Sequence, residues 1–294
     1  MEEEDDEDKI EFSFGGGGRR TGLDLPPGTK KPDFEWTVQG GVMREVMDQG
    51  NRRVCWTVAA SRELSGRLIV AERFDPPLRL SALHLLVGLI EEVDSEGGLK
   101  RLGHLRAFMI EHGTILEDDC KCPQLALQLK EDRSKPNPIM CTEKKSAKRV
   151  GRFKVHDLTI KKVVDETEIM HLLKTGPVAV GINVYEEFSD FEGDGIYPGP
   201  NKGSLKIDDH LFIVYGYGTT PEGIHYWKVQ NSAGRKWGKD GFGKIIRQIS
   251  RPKGQPSLFT RVVYPTLLVN YEGQKVQRGV QRGRHFIFGK TLSV

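Results

Sequence analysis

The hydrophobic period changes partway along the chain, and that change restricts the fold more than any other feature. In the first half, residues 55–72 read CWTVAASRELSGRLIVAE, where Trp56, Ala60, Leu64 and Leu68 recur four apart and share one helical face. Gly66 weakens this helix slightly. Further helices are predicted over 80–92 and 102–112. In the second half the period falls to two: behind Gly176-Pro177, the residues Val178, Val180, Ile182 and Val184 alternate as in a strand. A short apolar run over 211–215 is closed by Gly216-Tyr217-Gly218, and 225–229 and 242–249 are further strand candidates. Helices first and strands afterwards predict an α+β protein with two unlike lobes. A cleft between such lobes is the expected place for a site.

The ends and one internal stretch carry no such period. Residues 1–32 hold an acidic run, four consecutive glycines at 15–18, and Pro26, Pro27 and Pro32, a composition that predicts disorder. Order is expected from about Phe34-Glu35-Trp36. Residues 118–150 are polar and rich in Lys, Pro and Glu, as in a long surface connection. The division that follows is a tail over 1–32, an ordered region over 33–266 and a basic extension over 267–294. Within the ordered region the helical lobe covers about 48–150 and the β lobe about 151–266. In the extension VQRG occurs twice in succession at 276–283; a solvated tail explains so short a basic patch better than contact with RNA or acidic lipid.

Composition sets outer limits. The chain has 294 residues, of which 37% are hydrophobic and 29% charged, enough for one large domain or two small ones sharing an interface. No run is long and apolar enough to cross a bilayer. A net charge of +3 does not by itself imply a nucleic-acid partner. The opening MEEEDDEDK is the reverse of a secretory signal and points to the reducing cytosol or nucleus.

Chemistry is carried by four residues in order: Gln49, Cys55, His210 and Asn231. A thiol attacks a carbonyl only as thiolate, and a nearby imidazole takes its proton. A third group holds the imidazole in one tautomer, and a side-chain amide donates to the oxyanion that forms. Cys120, Cys122 and Cys141 leave an odd number once Cys55 is set aside as nucleophile. Cys120-Lys121-Cys122 with His112 and Cys141 does not match the ligand spacing of a zinc finger or ribbon, so neither a metal nor another cofactor is expected.

In its motifs the chain resembles the papain-like cysteine proteases from about Trp36 to Thr266. The segment Trp36 … Gly41-Val42 … Val46 … Asp48-Gln49-Gly50 resembles the family's approach to its nucleophile. Gly97-Gly98 resembles the paired glycines of its substrate groove, and Gly176-Pro177-Val178 … Gly195-Ile196-Tyr197 resembles its GPV … GIY stretch. Asp209-His210, Gly216-Tyr217-Gly218, Tyr226-Trp227-Lys228-Val229-Gln230-Asn231-Ser232 and Trp237-Gly238 … Gly241-Phe242-Gly243 resemble its later blocks in the family's order, and Tyr264-Pro265-Thr266 its ending.

The resemblance implies a helical lobe and an antiparallel, β-barrel-like lobe with the cleft between them. Cys55 would be the nucleophile at a helix N-terminus, whose partial positive charge lowers a thiol pKa. His210 would be its proton partner, Asn231 the group that orients the ring, and Gln49 an oxyanion donor beside the Cys55 N–H. Gly97, Gly98 and Asp209 would meet the substrate, the glycines because they present no Cβ. The implied partners are peptide or protein substrates and cystatin-like inhibitors, with the chain a monomer. Family members are typically vacuolar, lysosomal or extracellular, which conflicts with the N-terminus as written.

Several positions depart from the family. Cys-Gly-Ser-Cys-Trp before the nucleophile is replaced by Arg52-Arg53-Val54-Cys55-Trp56, so the usual bridge from the first cysteine cannot form, and 83–93, where its partner is expected, also lacks cysteine. Arg53 brings charge that favours a thiolate and bulk that crowds the cleft. Asn-Ser-Trp-Gly is replaced by Asn231-Ser232-Ala233-Gly234, which predicts a wetter, weaker His–Asn hydrogen bond. About thirty low-complexity residues stand where a long prosegment is usual. His210 follows Cys55 by 155 residues and Asn231 by 176, against roughly 130–150 in the family. Peptide-bond hydrolysis is the first reading. A catalytically silent peptide-binding relative and a Cys–His acyltransferase remain as alternatives.

Overall fold

The computed structural model describes residues 33–37, 41–71, 74, 77–120 and 151–268. The sequence readings for 1–32, for 121–150 with Cys122 and Cys141, and for the doubled VQRG lie outside these residues.

Helix α1 spans Cys55–Val70, and every one of its residues except Val70 is buried. The predicted stripe of Trp56, Ala60, Leu64 and Leu68 is therefore only part of what it buries. Its polar side chains are satisfied locally: Thr57 Oγ1 donates to the Val54 carbonyl at 2.8 Å and Ser65 Oγ to the Ser61 carbonyl at 2.6 Å. Glu63 and Arg67, one turn apart, pair inside at 3.3 Å. Gly66 is a packing device, since a Cβ there would lie 2.7 Å from Pro177 Cγ. Its absence lets the helix lie close against the chain leading into the sheet.

Helix α2 covers Ala82–Gly88, with Ser81 Oγ accepting from the His84 N–H at 3.0 Å as its cap. A 3₁₀ turn over Ile90–Glu92 completes the stretch predicted as one longer helix. Helix α3 is Leu102–Glu111. The remaining helices are short, α4 at Glu166–Leu172 and α5 at Glu186–Ser189.

The strands are β1 Phe34–Glu35, β2 Asp157–Lys161, β3 Val178–Val184, β4 Ile196–Tyr197, β5 Asp208–Thr219, β6 His225–Gln230, β7 Phe242–Ile246 and β8 Phe259–Thr266. They form one eight-stranded sheet in the order β2-β8-β3-β5-β6-β7-β4, with β1 on β5. Pairing is antiparallel except between β4 and β7. The α+β class of the resemblance is the class observed. The barrel-like lobe is an open sheet, because β2 and β4 at the two ends of the order do not pair with each other.

Alternation along the central strands feeds two cores. Ala179, Leu211, Ile213 and Val263 pack with α1, α2 and α3, while Val178, Val180, Phe212, Val214 and Val262 pack with Trp227, Trp237 and Phe188. One face of the sheet therefore carries α1, α2 and α3, and the other packs against the short helices α4 and α5 through Ile169 and Phe188. Among the described residues no helix is long and apolar enough to cross a membrane.

Candidate active site

Cys55 is the first residue of α1, 8% exposed and a free thiol. Val54 precedes it with no side-chain cap, and the first turn carries no acidic residue. The N–H groups and partial positive charge of the helix end are thus left unquenched next to the sulfur.

His210 is the third residue of β5, opposite Ile182 of β3. Its Nε2 lies 2.6 Å from Asn231 Oδ1. Its ring and the Cys55 thiol are near enough for each to shift the other's pKa, so the sulfur, the imidazole and the amide stand in series. Phe212 lies parallel to the ring at 6.0 Å and Phe188 is tilted at 6.2 Å, with Trp237 packed behind Phe188 at 5.2 Å. Ala233 is exposed, yet Asn231 is 4% exposed and also accepts from the Ser232 N–H at 2.8 Å. The wetter bond predicted from Ala233 does not arise, because the amide is buried and fixed from a second side.

Gln49 lies on the segment before α1, and that segment pairs with the one after β6. The Gln49 N–H donates to the Ser232 carbonyl at 2.8 Å, the Gly234 N–H to the Met47 carbonyl at 3.2 Å, and Asp48 bridges Ala233. Ser232 Oγ donates to Gln49 Oε1 at 2.5 Å, which fixes the amide flip and turns Nε2 the other way. Nε2 donates to the Arg52 carbonyl at 2.6 Å, leaving one amide hydrogen for a substrate oxygen. Ser232 was visible in the sequence only as the neighbour of Asn231; nothing there linked it to Gln49.

The loop over 94–98 forms the other wall. The glycines are required by the loop itself as much as by a ligand. Gly97 has φ +87° and sits where a Cβ would lie 2.8 Å from Val54 Cγ1, while a Cβ on Gly98 would strike Asp94 Oδ2 at 2.6 Å. Four hydrogen bonds tie this loop to the start of α1. Trp56 Nε1 donates to the Gly97 carbonyl at 2.9 Å, Arg52 Nη1 to the Ser95 carbonyl at 3.2 Å, and the Arg53 N–H to the Glu96 carbonyl at 2.9 Å. The fourth is Arg53 Nη1 to Asp94 Oδ2 at 3.1 Å. Arg52, where the family has its first bridging cysteine, thus makes a polar tie to the same loop.

Arg53 does not stand between Cys55 and His210. Its Nε donates to Asp208 Oδ2 at 2.9 Å and its Nη2 to Asp208 Oδ1, so its fork spans from Asp94 to the start of β5. Asp208 had no part in the sequence reading; the doubled acid before His210 was its one signal. Asp209, the expected substrate contact, lines the cleft and pairs with Lys206 at 2.9 Å. The cleft has a volume of about 450 Å³ and holds Cys55, His210, Gly98 and Asp209 in its lining.

The electrostatics favour a charged pair. Burial pushes the Cys55 thiol up, but the charge of His210, its hydrogen bond and the Leu211 N–H outweigh that and bring it below the ordinary thiol value. Burial pulls His210 down, and the opposing effects of Cys55, the hydrogen bond to Asn231 and the charge of Asp208 hold it above the ordinary imidazole value. Each group thus shifts the other toward its charged form, the thiol toward thiolate and the imidazole toward imidazolium.

With this arrangement in view, the comparisons with known proteins are direct. Residues 31–266 match the model of the papain family cysteine proteases. Vignain of Vigna mungo is 31% identical over 239 residues, covering 81% of this chain and 60% of that protein. A cathepsin L-like peptidase of Aedes aegypti is 28% identical over 215 residues, covering 72% of this chain and 58% of that one. The chain thus spans about 60% of the length of these two relatives. Procathepsin B S9 of Trypanosoma congolense superposes with a TM-score of 0.63 at 21% identity, covering 81% of this chain and 78% of that one, a likeness of fold. The chain belongs to the papain family of cysteine proteases.

Proposed function

We propose that the chain hydrolyses peptide bonds by a thiol mechanism. The observation that carries this reading is that Cys55 and His210 line one cleft, with His210 Nε2 held 2.6 Å from Asn231 Oδ1. The Cys55 thiolate forms a bond to the carbonyl carbon, and the carbonyl π electrons move to its oxygen. The Cys55 N–H and the spare hydrogen of Gln49 Nε2 stabilise that oxyanion. Collapse expels the amine, which takes the proton of the His210 imidazolium, and leaves a thioester on Cys55. His210, now neutral, takes a proton from water; the resulting hydroxide adds to the thioester carbonyl and the thiolate leaves, restoring the pair. Asn231 holds the ring for both proton transfers.

One observation favours a second reading, a cleft that binds peptides without cleaving them. Arg53 and its carboxylate partners occupy space beside Cys55 that a substrate must skirt. Labelling by a peptidyl epoxide separates the two. Turnover predicts that Cys55 is labelled far faster than Cys120, that His210→Ala abolishes the difference, and that a quenched peptide mixture is cleaved. Equal labelling of Cys55 and Cys120 with no cleavage would leave only the binding reading.

A further inference from the structure

The cleft carries cations that the proposed chemistry does not use. Three cationic side chains line it, Arg53, Lys100 and Arg261, together with Asp94 and Asp209. Arg53 is engaged by Asp94 and Asp208. Asp209 is engaged by Lys206 at 2.9 Å and forms a long ion pair with Arg261 Nη2 at 4.0 Å, which is beyond hydrogen-bond reach. Lys100 Nζ donates to the Glu91 carbonyl at 3.1 Å, and no carboxylate among the described residues lies within ion-pair distance of it. Two cations therefore face the cleft with hydrogen-bonding capacity to spare, Lys100 from the loop after Gly98 and Arg261 from β8.

Arg261 is seated by the sheet. It pairs across the ladder with Gly181 of β3, where a Cβ would lie 2.5 Å from Arg261 Cγ and 2.9 Å from Cδ. Only a glycine lets the stem lie over the strand in this way. Leu99, Leu102 and Leu211 supply apolar lining in the same cleft. Aliphatic lining with cations that no carboxylate hydrogen-bonds fits a side chain that has an aliphatic stem and an anionic tip.

We infer that Arg261 and Lys100 make this cleft selective for peptides bearing an acidic side chain, glutamate in particular, at one position near the reacting carbonyl. The inference rests on the cleft being a peptide site, as proposed above, but does not require turnover. Arg261 supplies a planar fork suited to a carboxylate, and Lys100 a point charge on a mobile stem.

The test is binding of labelled hexapeptides to the Cys55→Ala chain, with a single glutamate moved through each position and compared with glutamine and lysine there. At one position glutamate is expected to bind about tenfold more tightly than glutamine, as for a hydrogen bond to a charged group, and lysine more weakly than either. Added salt should shrink the preference. Arg261→Ala and the exposed-site variant Lys100→Glu should each reduce it, and Gly181→Val, which displaces the Arg261 stem, should do so as well. Equal binding of glutamate and glutamine at every position, failure of the whole series to bind, or a preference that survives both Arg261→Ala and Lys100→Glu overturns the inference. Cleavage assays with the unaltered chain keep the two proposals apart. Hydrolysis without acidic preference removes the selectivity alone, while acidic preference in binding without any hydrolysis removes the catalytic reading alone.

Discussion

At the scale of single residues, the site is held by groups that each do two things. Asn231 Oδ1 meets both His210 Nε2 and the Ser232 N–H, and Gln49 is gripped at both ends of its amide. These duties can be separated experimentally. Gln49→Ala should lower kcat about 10²-fold, the cost of one oxyanion donor, while alkylation of Cys55 by iodoacetamide, which forms no oxyanion, proceeds at the unaltered rate. Asn231→Ala should slow both, because the ring loses its orienting partner, and should cost about 1–3 kcal/mol by stranding a buried N–H; chemical denaturation measures the second effect. The pH profile of Cys55 alkylation gives the electrostatic check. With His210 present the thiolate should persist below the ordinary thiol range, and His210→Ala should move the midpoint upward. The four residues proposed for the chemistry could be singled out in the sequence because thiol hydrolysis requires those residue types in concert. Ser232, Asp208 and Arg261 were not readable, since their roles depend on which side chain faces which after folding.

At the scale of elements, α1 and β3 show where pattern reading succeeds and where packing overrules it. The span of β3 is the predicted one, and its alternation partitions side chains between two cores. The run over 211–215 is the middle of a longer strand, β5, and Gly216 does not end it. A Cβ at Gly216 would lie 2.2 Å from the Phe34 carbonyl oxygen of β1, so this glycine makes room for a neighbouring strand. A glycine that closes a strand and one that admits another look alike in sequence. Helix α1 presents a different difficulty: nothing in its sequence announces that Glu63 and Arg67 are buried along with its apolar face. Burial, outweighing the effects of Arg67 and of the Ala179 N–H, holds the Glu63 carboxyl at about 8 against an ordinary 4.5. The folded chain then keeps a proton that the unfolded chain has released, so stability should fall as pH rises from about 4.5 to about 8. Glu63→Gln should flatten that part of a melting-temperature profile. Arg67→Ala removes the charge that pulls the Glu63 carboxyl down, and should extend that window to higher pH in the same profile.

At the scale of the whole molecule, contacts from the start of α1 reach both walls of the cleft. Arg53 joins Asp94 of the glycine loop to Asp208 at the head of β5, and the charge of Asp208 raises the pKa of both Cys55 and His210. Asp208→Asn should therefore move both limbs of the activity profile to lower pH, measurable as kcat/KM against pH. Arg53→Ala should cost only about 0.5–1 kcal/mol, because the pair is partly open to solvent, and should make the rate more sensitive to salt. The backbone pairing of 47–49 with 232–234 carries a larger consequence. It stitches the chain that leads into Cys55 to the chain that follows Asn231. Any widening of the groove that leaves those bonds intact must swing about this seam, as a book opens at its spine. On the proposed mechanism, Gln49 and Asn231, which flank these bonds, would barely shift while the outer rim travels furthest, so a bulky guest would be admitted without parting the two residues.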